Sequence, residues 1–379
     1  MSFIEQIHHF SGGIGCHALE RVHHVARCGV VAIAKACGEN ENHKMVSYPL
    51  SAGMSRRKND FSDTQGTTEV FCRQLRLPVR ILIMRIGITG ATGFIGTALT
   101  KAALERGHEV VAFSRNGNLS LPGVASVRPI HLDQDPVLDP GGLDALVHLA
   151  GESVIGYWTT GKKARIRDSR VNLTQRIVAA MAASPNRPKT FICASGTGAY
   201  GNGGDSVLTE SSPRGIGFLA SVCKEWEECA LRAADLGLRV VLLRTGMVLG
   251  DGGGSWPLLK KIFKLGLGSR LGDGRQYVPW IHLDDEVGII LHALEQEAYQ
   301  GPVNVTAPHP VTNAEMTRLF ASQLKRPTFI PAPAFALRMI LGDLATIVLD
   351  SQRVIPKAAQ DNGYHFKHPT LEEALVSLL

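Results

Sequence analysis

The residues in this 379-residue chain whose types and spacing best suit chemistry are three glycines at three-residue intervals. Gly90, Gly93 and Gly96 lie in the run Thr89-Gly90-Ala91-Thr92-Gly93-Phe94-Ile95-Gly96, between a short apolar stretch and a segment with helical spacing. Their placement at a strand-to-helix turn matters more than the glycines themselves. Gly90 permits the sharp exit from the strand. Gly93 lets a backbone approach a pyrophosphate with no Cβ in the way, and Gly96 lets the helix pack close to the sheet. The helix N-terminus adds free N–H groups and a positive dipole end. The spacing therefore points to a dinucleotide whose phosphates are held by Gly90, Ala91, Thr92, Gly93, Phe94, Ile95 and Gly96.

The second strand speaks to the kind of dinucleotide. An acid about 20 residues past the glycines would accept from the 2′-hydroxyl of NAD. This strand ends instead Phe113-Ser114-Arg115-Asn116, with no acid. Arg115, with Ser114 beside it, suits a 2′-phosphate by charge and fork geometry, so NADP(H) is favoured over NAD(H). Asp133, at the expected end of a third strand, is a candidate acceptor for the adenine amino group. Leu149-Ala150-Gly151 ends a fourth strand with small residues that let a chain pass close to a nicotinamide ribose. Glu152 comes directly after, on the carboxyl edge where such ligands sit, and is a candidate acid or base.

The elements needed to position these residues are legible from residue 84 onward. Strands are expected at Arg85–Thr89, Glu109–Ser114, Val127–Leu132, Ala145–Ala150, Thr190–Ala194 and Arg239–Thr245. Helices are expected at Phe94–Arg106, Lys163–Ala183 and Phe218–Leu236. Such alternation gives an α/β fold, a doubly wound parallel sheet of the Rossmann type with right-handed crossovers. After residue 250 the alternation loosens. Pro257–Leu265 and Pro333–Leu349 read as helical, Val303–Thr306 as a strand, and Thr312–Gln323 as a helix with a Thr/Asn cap. The expected division is 84–250 for nucleotide binding and 251–379 for a smaller C-terminal substrate lobe with a domain of its own.

Residues 1–83 read differently. They hold six of the 14 histidines, and Glu39–Gly66 has almost no periodicity, so a poorly ordered extension is expected, with Met84 suited to a natural start. Cys16, His17, His23, His24 and Cys28 match no zinc spacing, and no metal site is expected. The formal charge of +6 divides equally: ten Lys/Arg against seven Asp/Glu in 1–83 leave +3 for the other 296 residues. Neither part has a dense basic block, so nucleic acid is not an expected partner. Seven cysteines with no CxxC pair read as reduced thiols in a cytoplasmic protein. No stretch reaches the roughly 18 apolar residues of a membrane span.

The glycine turn, His148-Leu149-Ala150-Gly151, Asn172, Tyr200-Gly201 and Trp280-Ile281-His282-Leu283-Asp284-Asp285 resemble extended short-chain dehydrogenases/reductases and nucleotide-sugar epimerases. More narrowly, the chain resembles an atypical epimerase-like subfamily with its own C-terminal domain. The residues that carry this are Ala150-Gly151-Glu152, Ile166-Arg167-Asp168-Ser169-Arg170-Val171, Leu219 to Glu227, Leu242 to Gly246, Asn304 to Pro308 and the stretch from Pro331 to Leu379. The resemblance covers about residues 84–379 and implies cofactor contacts at Asn172, Ser195 and Lys224 in addition to those above.

Ordinary members of that superfamily use a Tyr-x-x-x-Lys pair with a Ser or Thr, the lysine lowering the tyrosine pKa and binding the ribose. Here Lys224 stands where the resemblance places the lysine, but Ala220 stands four residues before it, and none of the six tyrosines has a lysine at +4. Ser195, Lys224, Glu152 and Tyr200 are the catalytic candidates that remain, with Thr197 and Cys223 as neighbours. Arg244 reads as an anion or lobe-orienting cation, and His282 as a helix-entry residue. Two functions compete: an oxidoreductase or epimerase acting on a small, sugar-like substrate with a nonstandard proton donor, and a catalytically degenerate NADP-binding regulator or scaffold. A homodimer packed through Lys163–Ala183 and Phe218–Leu236 is the family-style expectation.

Overall fold

Apolar residues in strands buried on both faces must be covered by helices on both sides, and that requirement organises the chain. The computed structural model describes residues 83–116, 122–328 and 331–379; the expectations for the N-terminal extension and its Cys/His cluster lie outside the described residues. The principal strands are β1 (Arg85–Thr89), β2 (Glu109–Ser114), β3 (Ser126–Pro129), β4 (Ala145–His148), β5 (Thr190–Gly196), β6 (Arg239–Thr245) and β7 (Gly301–Val305). They form one seven-stranded sheet in the order β3-β2-β1-β4-β5-β6-β7, with every pair parallel. This is the Rossmann-type doubly wound arrangement, with its topological switch between β1 and β4.

The helices beside it are α1 (Phe94–Glu105), α2 (Thr160–Asp168), α3 (Val171–Ala183), α4 (Phe218–Leu231), α5 (Trp256–Lys264), α6 (Leu283–Glu295) and α7 (Asn313–Gln323). Alternate strand residues divide between two cores. Ile86, Ile88, Val110, Val147, Ile192 and Val241 pack with Leu99 of α1 and with Ile289, Ile290 and Ala293 of α6. Val111, Leu146, Phe191, Val240 and Leu242 pack with Ile177 and Met181 of α3 and with Trp226 and Ala230 of α4. A third cluster joins Trp256 and Phe263 of α5, Trp280, Phe320 of α7, and Leu371 and Leu375 near the C-terminus. α7 starts with a full capping box: Glu315 N donates to Thr312 Oγ1 at 3.2 Å and Thr312 N donates to Glu315 Oε2 at 2.8 Å.

Some boundaries differ from the sequence reading. The third strand stops at Pro129, which has no N–H to continue the ladder, so Asp133 stands in the turn beyond it. The fourth stops at His148, after which Leu149 N makes one last bond to Thr89 O at 3.1 Å. The expected helix Lys163–Ala183 is two helices, α2 and α3, broken at Ser169-Arg170. Ser169 Oγ donates back to Ile166 O at 3.2 Å and accepts from Glu152 N at 2.9 Å, a side chain competing with the helix for backbone groups. Phe218–Leu236 is α-helical only to Leu231 and ends in a 3-10 turn closed by left-handed Gly237. Pro333–Leu349 is likewise divided, into α8 (Ala334–Leu341), a 3-10 turn and α9 (Thr346–Leu349), the break falling at Gly342 with φ +57°.

The C-terminal segment is stitched to the sheet's carboxyl edge. Arg353–Val354 pairs in parallel with Val207–Leu208. Gln352 Nε2 donates to Gly201 O at 3.0 Å and Ser351 N to Asn202 Oδ1 at 3.0 Å. Ala358 N donates to Glu210 Oε1 at 3.0 Å, and the buried Asp285 carboxylate accepts from Lys367 N and His368 N at 2.7 and 2.9 Å.

Candidate functional site

The glycine turn is built as its spacing requires. Gly90 has φ +76°, and a Cβ there would stand 3.0 Å from Ala150 N and from Leu149 C, so the turn lies directly against the end of β4. Gly93 N donates to Gly90 O at 2.9 Å and Gly93 is the N-cap of α1. A Cβ on Gly96 would collide with Gly90 O. Ala91 is buried, while Thr92 and Gly93 are exposed toward any ligand at the helix end. Phe94 is covered by a second glycine-rich loop: a Cβ at Gly250, Gly253 or Gly254 would come within 2.9, 2.6 or 2.7 Å of its side chain. Ile95 is half-buried against the α1–α6 core. Thr89 Oγ1 and His148 Nδ1 share a 2.6 Å hydrogen bond that fixes the ends of β1 and β4 side by side. Burial, helped by Arg170, holds the His148 imidazole down to about 3, so it is neutral.

At the end of β2, Ser114 Oγ accepts from Asn116 N at 3.1 Å, and Arg115 is exposed with no ion-pair partner among the described residues. Asp133 is also exposed. Its turn is held from α3, where Arg176 donates to the carbonyls of His131, Leu132 and Gln134 and to Asp135 Oδ1.

Beyond β4, Leu149 and Ala150 are half-buried and Gly151 is exposed. A Cβ on Gly151 would lie 3.4 Å from the Arg170 guanidinium carbon. Glu152 Oε1 accepts from Lys162 Nζ at 2.7 Å. That bond and the charges of Lys162, Arg165 and Arg170 keep the Glu152 carboxyl below its ordinary range, which makes it an ionised acid and a poor proton donor at neutral pH. Asn172 is on the surface of α3, its Nδ2 donating to Asp168 Oδ1 at 3.0 Å.

The side chains of α4 against the carboxyl end of β5 are not the pair that the sequence suggested. A Cβ on Gly198 would touch Leu219 at 3.0 Å, Cys223 Sγ lies 3.8 Å from Gly196 O, and Glu227 Oε1 accepts from Ser195 Oγ at 2.7 Å. Residues 219, 223 and 227 form an i, i+4, i+8 stripe. Ala220 is buried beside that stripe and Lys224 is exposed, with no bonded partner among the described residues. Burial pushes the Cys223 thiol up to about 11.

Ser195 belongs to a buried polar network that the sequence did not disclose. Its centre is Glu227, fully enclosed, whose carboxylate accepts from Arg244 Nε and Nη2 at 2.9 and 2.8 Å and from Arg214 Nη2 at 2.7 Å. Arg244 Nη1 donates to Tyr200 OH at 3.0 Å, and Tyr200 donates to Asn304 Oδ1 at 2.6 Å. Burial raises the Tyr200 hydroxyl above its ordinary range even with Arg244 beside it. Tyr200 is thus enclosed and fully bonded. Thr197, also buried, opens the 3-10 turn that carries Tyr200.

Glu286 lacks a sequence signal, whereas His282 is the helix-entry residue that the sequence indicated. Glu286 of α6 is buried, accepts from Thr245 Oγ1 at 3.0 Å through Oε1, and has no partner on Oε2 among the described residues. His282 caps α6, accepting from Asp284 N at 3.1 Å, and lies against His368 with ring centres 3.9 Å apart and planes tilted by 47°; with Asp284 they bring potential ligand atoms within 4.8 Å of one another. A depression of about 660 Å³ beside the Phe94-covering loop is lined by Asp251, Gly252 and the α5 lysines Lys260, Lys261 and Lys264. Another, of about 690 Å³, runs along α7 among Arg270, Arg318, Lys325 and Arg326, and contains none of the candidate residues. No helix among the described residues is long and apolar enough to cross a membrane.

Comparison with known proteins agrees with this geometry. Residues 86–306 match the NAD dependent epimerase/dehydratase family, and residues 332–378 match a domain of unknown function, DUF1731. The chain is 40% identical over 300 residues to an epimerase family protein of Mycobacterium leprae, covering 76% of this chain and 94% of that one. Among solved structures it is similar to human epimerase family protein SDR39U1 with NADPH, at 35% identity and a TM-score of 0.70, covering 78% of this chain and 99% of that chain. It is also similar to a nucleoside-diphosphate sugar epimerase from Corynebacterium glutamicum, at 34% identity and a TM-score of 0.63, covering 82% of this chain and 63% of that one.

Proposed function

This chain belongs to the NAD dependent epimerase/dehydratase family, as an atypical short-chain dehydrogenase/reductase with a C-terminal DUF1731 domain, and from that premise we propose that it binds NADP(H) across the β1–β4 switch and acts on a small, sugar-like substrate by hydride chemistry. The observation that carries this reading is the pairing of the turn with the end of β2. Gly96 has no room for a Cβ beneath Gly90 O, so the backbone of Gly90 to Gly93 is held at the start of α1, and Arg115, exposed just past the end of β2, has no ion-pair partner among the described residues. The human relative's NADPH supports the same choice of nucleotide. In this reading Gly90 to Gly96 hold the pyrophosphate, Ser114 and Arg115 the 2′-phosphate, Asp133 the adenine amino group, and Leu149 to Gly151 border the nicotinamide ribose. The cofactor would supply the hydride, and the chain's own residues orient the substrate over it. The carboxyl edges of β4 and β5 offer few groups to move a proton. Glu152 is ion-paired, Ser195 is committed to Glu227, and Tyr200 is enclosed.

Calorimetric titration with NADPH and then NADH tests the reading, with Arg115→Ala as control. NADPH is expected to bind at least about tenfold more tightly than NADH, and Arg115→Ala to remove most of that difference. If neither nucleotide binds, the reading fails.

A second reading, a nucleotide-stabilised regulator or scaffold, is favoured by one observation: Leu219 and Cys223 occupy the stripe of α4 against the end of β5, with no tyrosine or lysine there. Turnover of NADPH with a panel of carbonyl sugars would exclude it.

A further inference from the structure

Arg170 sits at the N-terminal edge of α3, half-buried, and no carboxylate forms an ion pair with it among the described residues. A guanidinium withdrawn from water without a counter-ion is costly, and residues kept that way cluster where a ligand completes the pairing. Two features fix its plane and aim. Its Cζ lies 5.2 Å from the centre of the Trp226 ring, a cation–π contact with α4. Its Nη1 donates to Glu152 O at 2.9 Å and Ile166 O at 3.1 Å, and lies 3.4 Å from Ser169 Oγ. Every side-chain hydrogen bond that Arg170 makes within the described residues passes through Nη1. Nε and Nη2, the two parallel donors along one edge of the fork, have no partner among the described residues.

The guanidinium lies just past the carboxyl end of β4. Gly151 is the residue against which the guanidinium rests; a Cβ there would come 3.5 Å from Nη1 and 3.6 Å from Nη2. The one acid in this segment, Glu152, is held instead by Lys162.

We propose that the Nε–Nη2 edge of Arg170 receives one oxyanion in a bidentate pair, either the carboxylate of the substrate or a phosphate of the cofactor. A carboxylate matches two parallel N–H donors better than a hydroxyl or a carbonyl does. The inference rests on the reading above only in taking this sheet edge as the ligand site.

The test uses the full chain and two probes, NADPH and malonate, titrated by calorimetry into the wild type, Arg170→Gln and Arg170→Lys. A substrate-carboxylate site predicts that malonate binds the NADPH-saturated wild type. It also predicts at least about tenfold weaker malonate binding in both variants, with NADPH affinity unchanged. A cofactor-phosphate site predicts that both variants lose at least about tenfold in NADPH affinity and that malonate does not bind the loaded protein. The proposal is overturned if the variants match the wild type within about twofold for both probes. Arg170→Lys keeps the charge and removes the fork, and so tests the pairing if Arg170→Gln does not fold. Should NADPH fail to bind the wild type at all, the cofactor reading falls, and malonate titrated into the unloaded protein still reads Arg170.

Discussion

Ser195 donates its hydroxyl to Glu227 across 2.7 Å, in a site where the glutamate is enclosed and also bonded by Arg244 and Arg214. The serine at the end of β5 thus serves a buried charge network. Removing one partner of a buried ion pair leaves the rest uncompensated, at a cost of about 3–5 kcal/mol. Glu227→Ala is expected to lose stability on that scale. Ser195→Ala is expected to cost about 1–3 kcal/mol and to leave NADPH affinity within about twofold. Urea unfolding and calorimetry on both variants check this; a Ser195→Ala protein of unchanged stability would contradict it.

Gly96→Ala places a methyl group where Gly90 O already stands. Overpacking of this kind costs about 1–3 kcal/mol, and here the atom that must move belongs to the nucleotide turn itself. The expected result is a lower melting temperature together with at least about tenfold weaker NADPH binding. Gly107→Ala is a contrast, since nothing lies within 4 Å of a Cβ there and its strain comes from φ +81° alone; it should lower stability without touching nucleotide affinity.

Burial raises the Glu286 carboxyl from 4.5 to about 8, Thr245 opposing the shift only in part. The folded state therefore holds a proton that the unfolded chain releases above its own lower value. Stability from this group is fully present below pH 4.5 and is lost as pH rises toward about 8. The slope for one proton is about 1.4 kcal/mol per pH unit. Urea midpoints measured from pH 5 to pH 8 should fall for the wild type and fall less for Glu286→Gln. Parallel curves for the two proteins would show that Glu286 does not titrate in this window.

Cys223 faces Ser195 and Gly196 on the sheet side of α4, and burial holds its thiol up to about 11. Roughly one molecule in a thousand would carry the thiolate at pH 8. Iodoacetamide should therefore leave Cys223 unmodified in the folded protein and modify it after unfolding, as read by peptide mass spectrometry. Rapid native alkylation would identify it as an activated nucleophile.

The sequence disclosed those parts of the fold that arise from local rules. β1, β2 and β6 have the expected limits, because each is an apolar run buried on the sheet and bounded by turn-forming residues. The glycine turn was legible for the same reason, since its three glycines satisfy contacts made within a dozen residues or with the adjoining strand end. The α2–α3 break was not, because it is made by Ser169 and Arg170 reaching Glu152, a residue on another segment. Lys224 illustrates a different limit. One step along a helix turns a side chain by about 100°, and the segment Val222 to Glu227 is apolar or charged in a pattern that does not say whether position 223 or 224 faces the sheet. Glu227 was missed because an acid in a helix reads as solvated; its partners Ser195, Arg214 and Arg244 come from three other parts of the chain.

The attachment of residues 351–368 to the sheet edge sets an order of assembly on the nascent chain. The strands that form the sheet are all made before residue 306, and nothing in the ladder waits for the C-terminal residues. Glu210 and Asp285 do wait: their carboxylates are closed off by backbone N–H groups of Ala358, Lys367 and His368. Until those residues leave the ribosome, Asp285 lacks its backbone donors, Glu210 has only Asn304 N of β7, and the loop at Gly201–Asn202 lacks its fastenings to Ser351 and Gln352. The rim around the carboxyl edge of the sheet therefore sets last, after a sheet that is already in place.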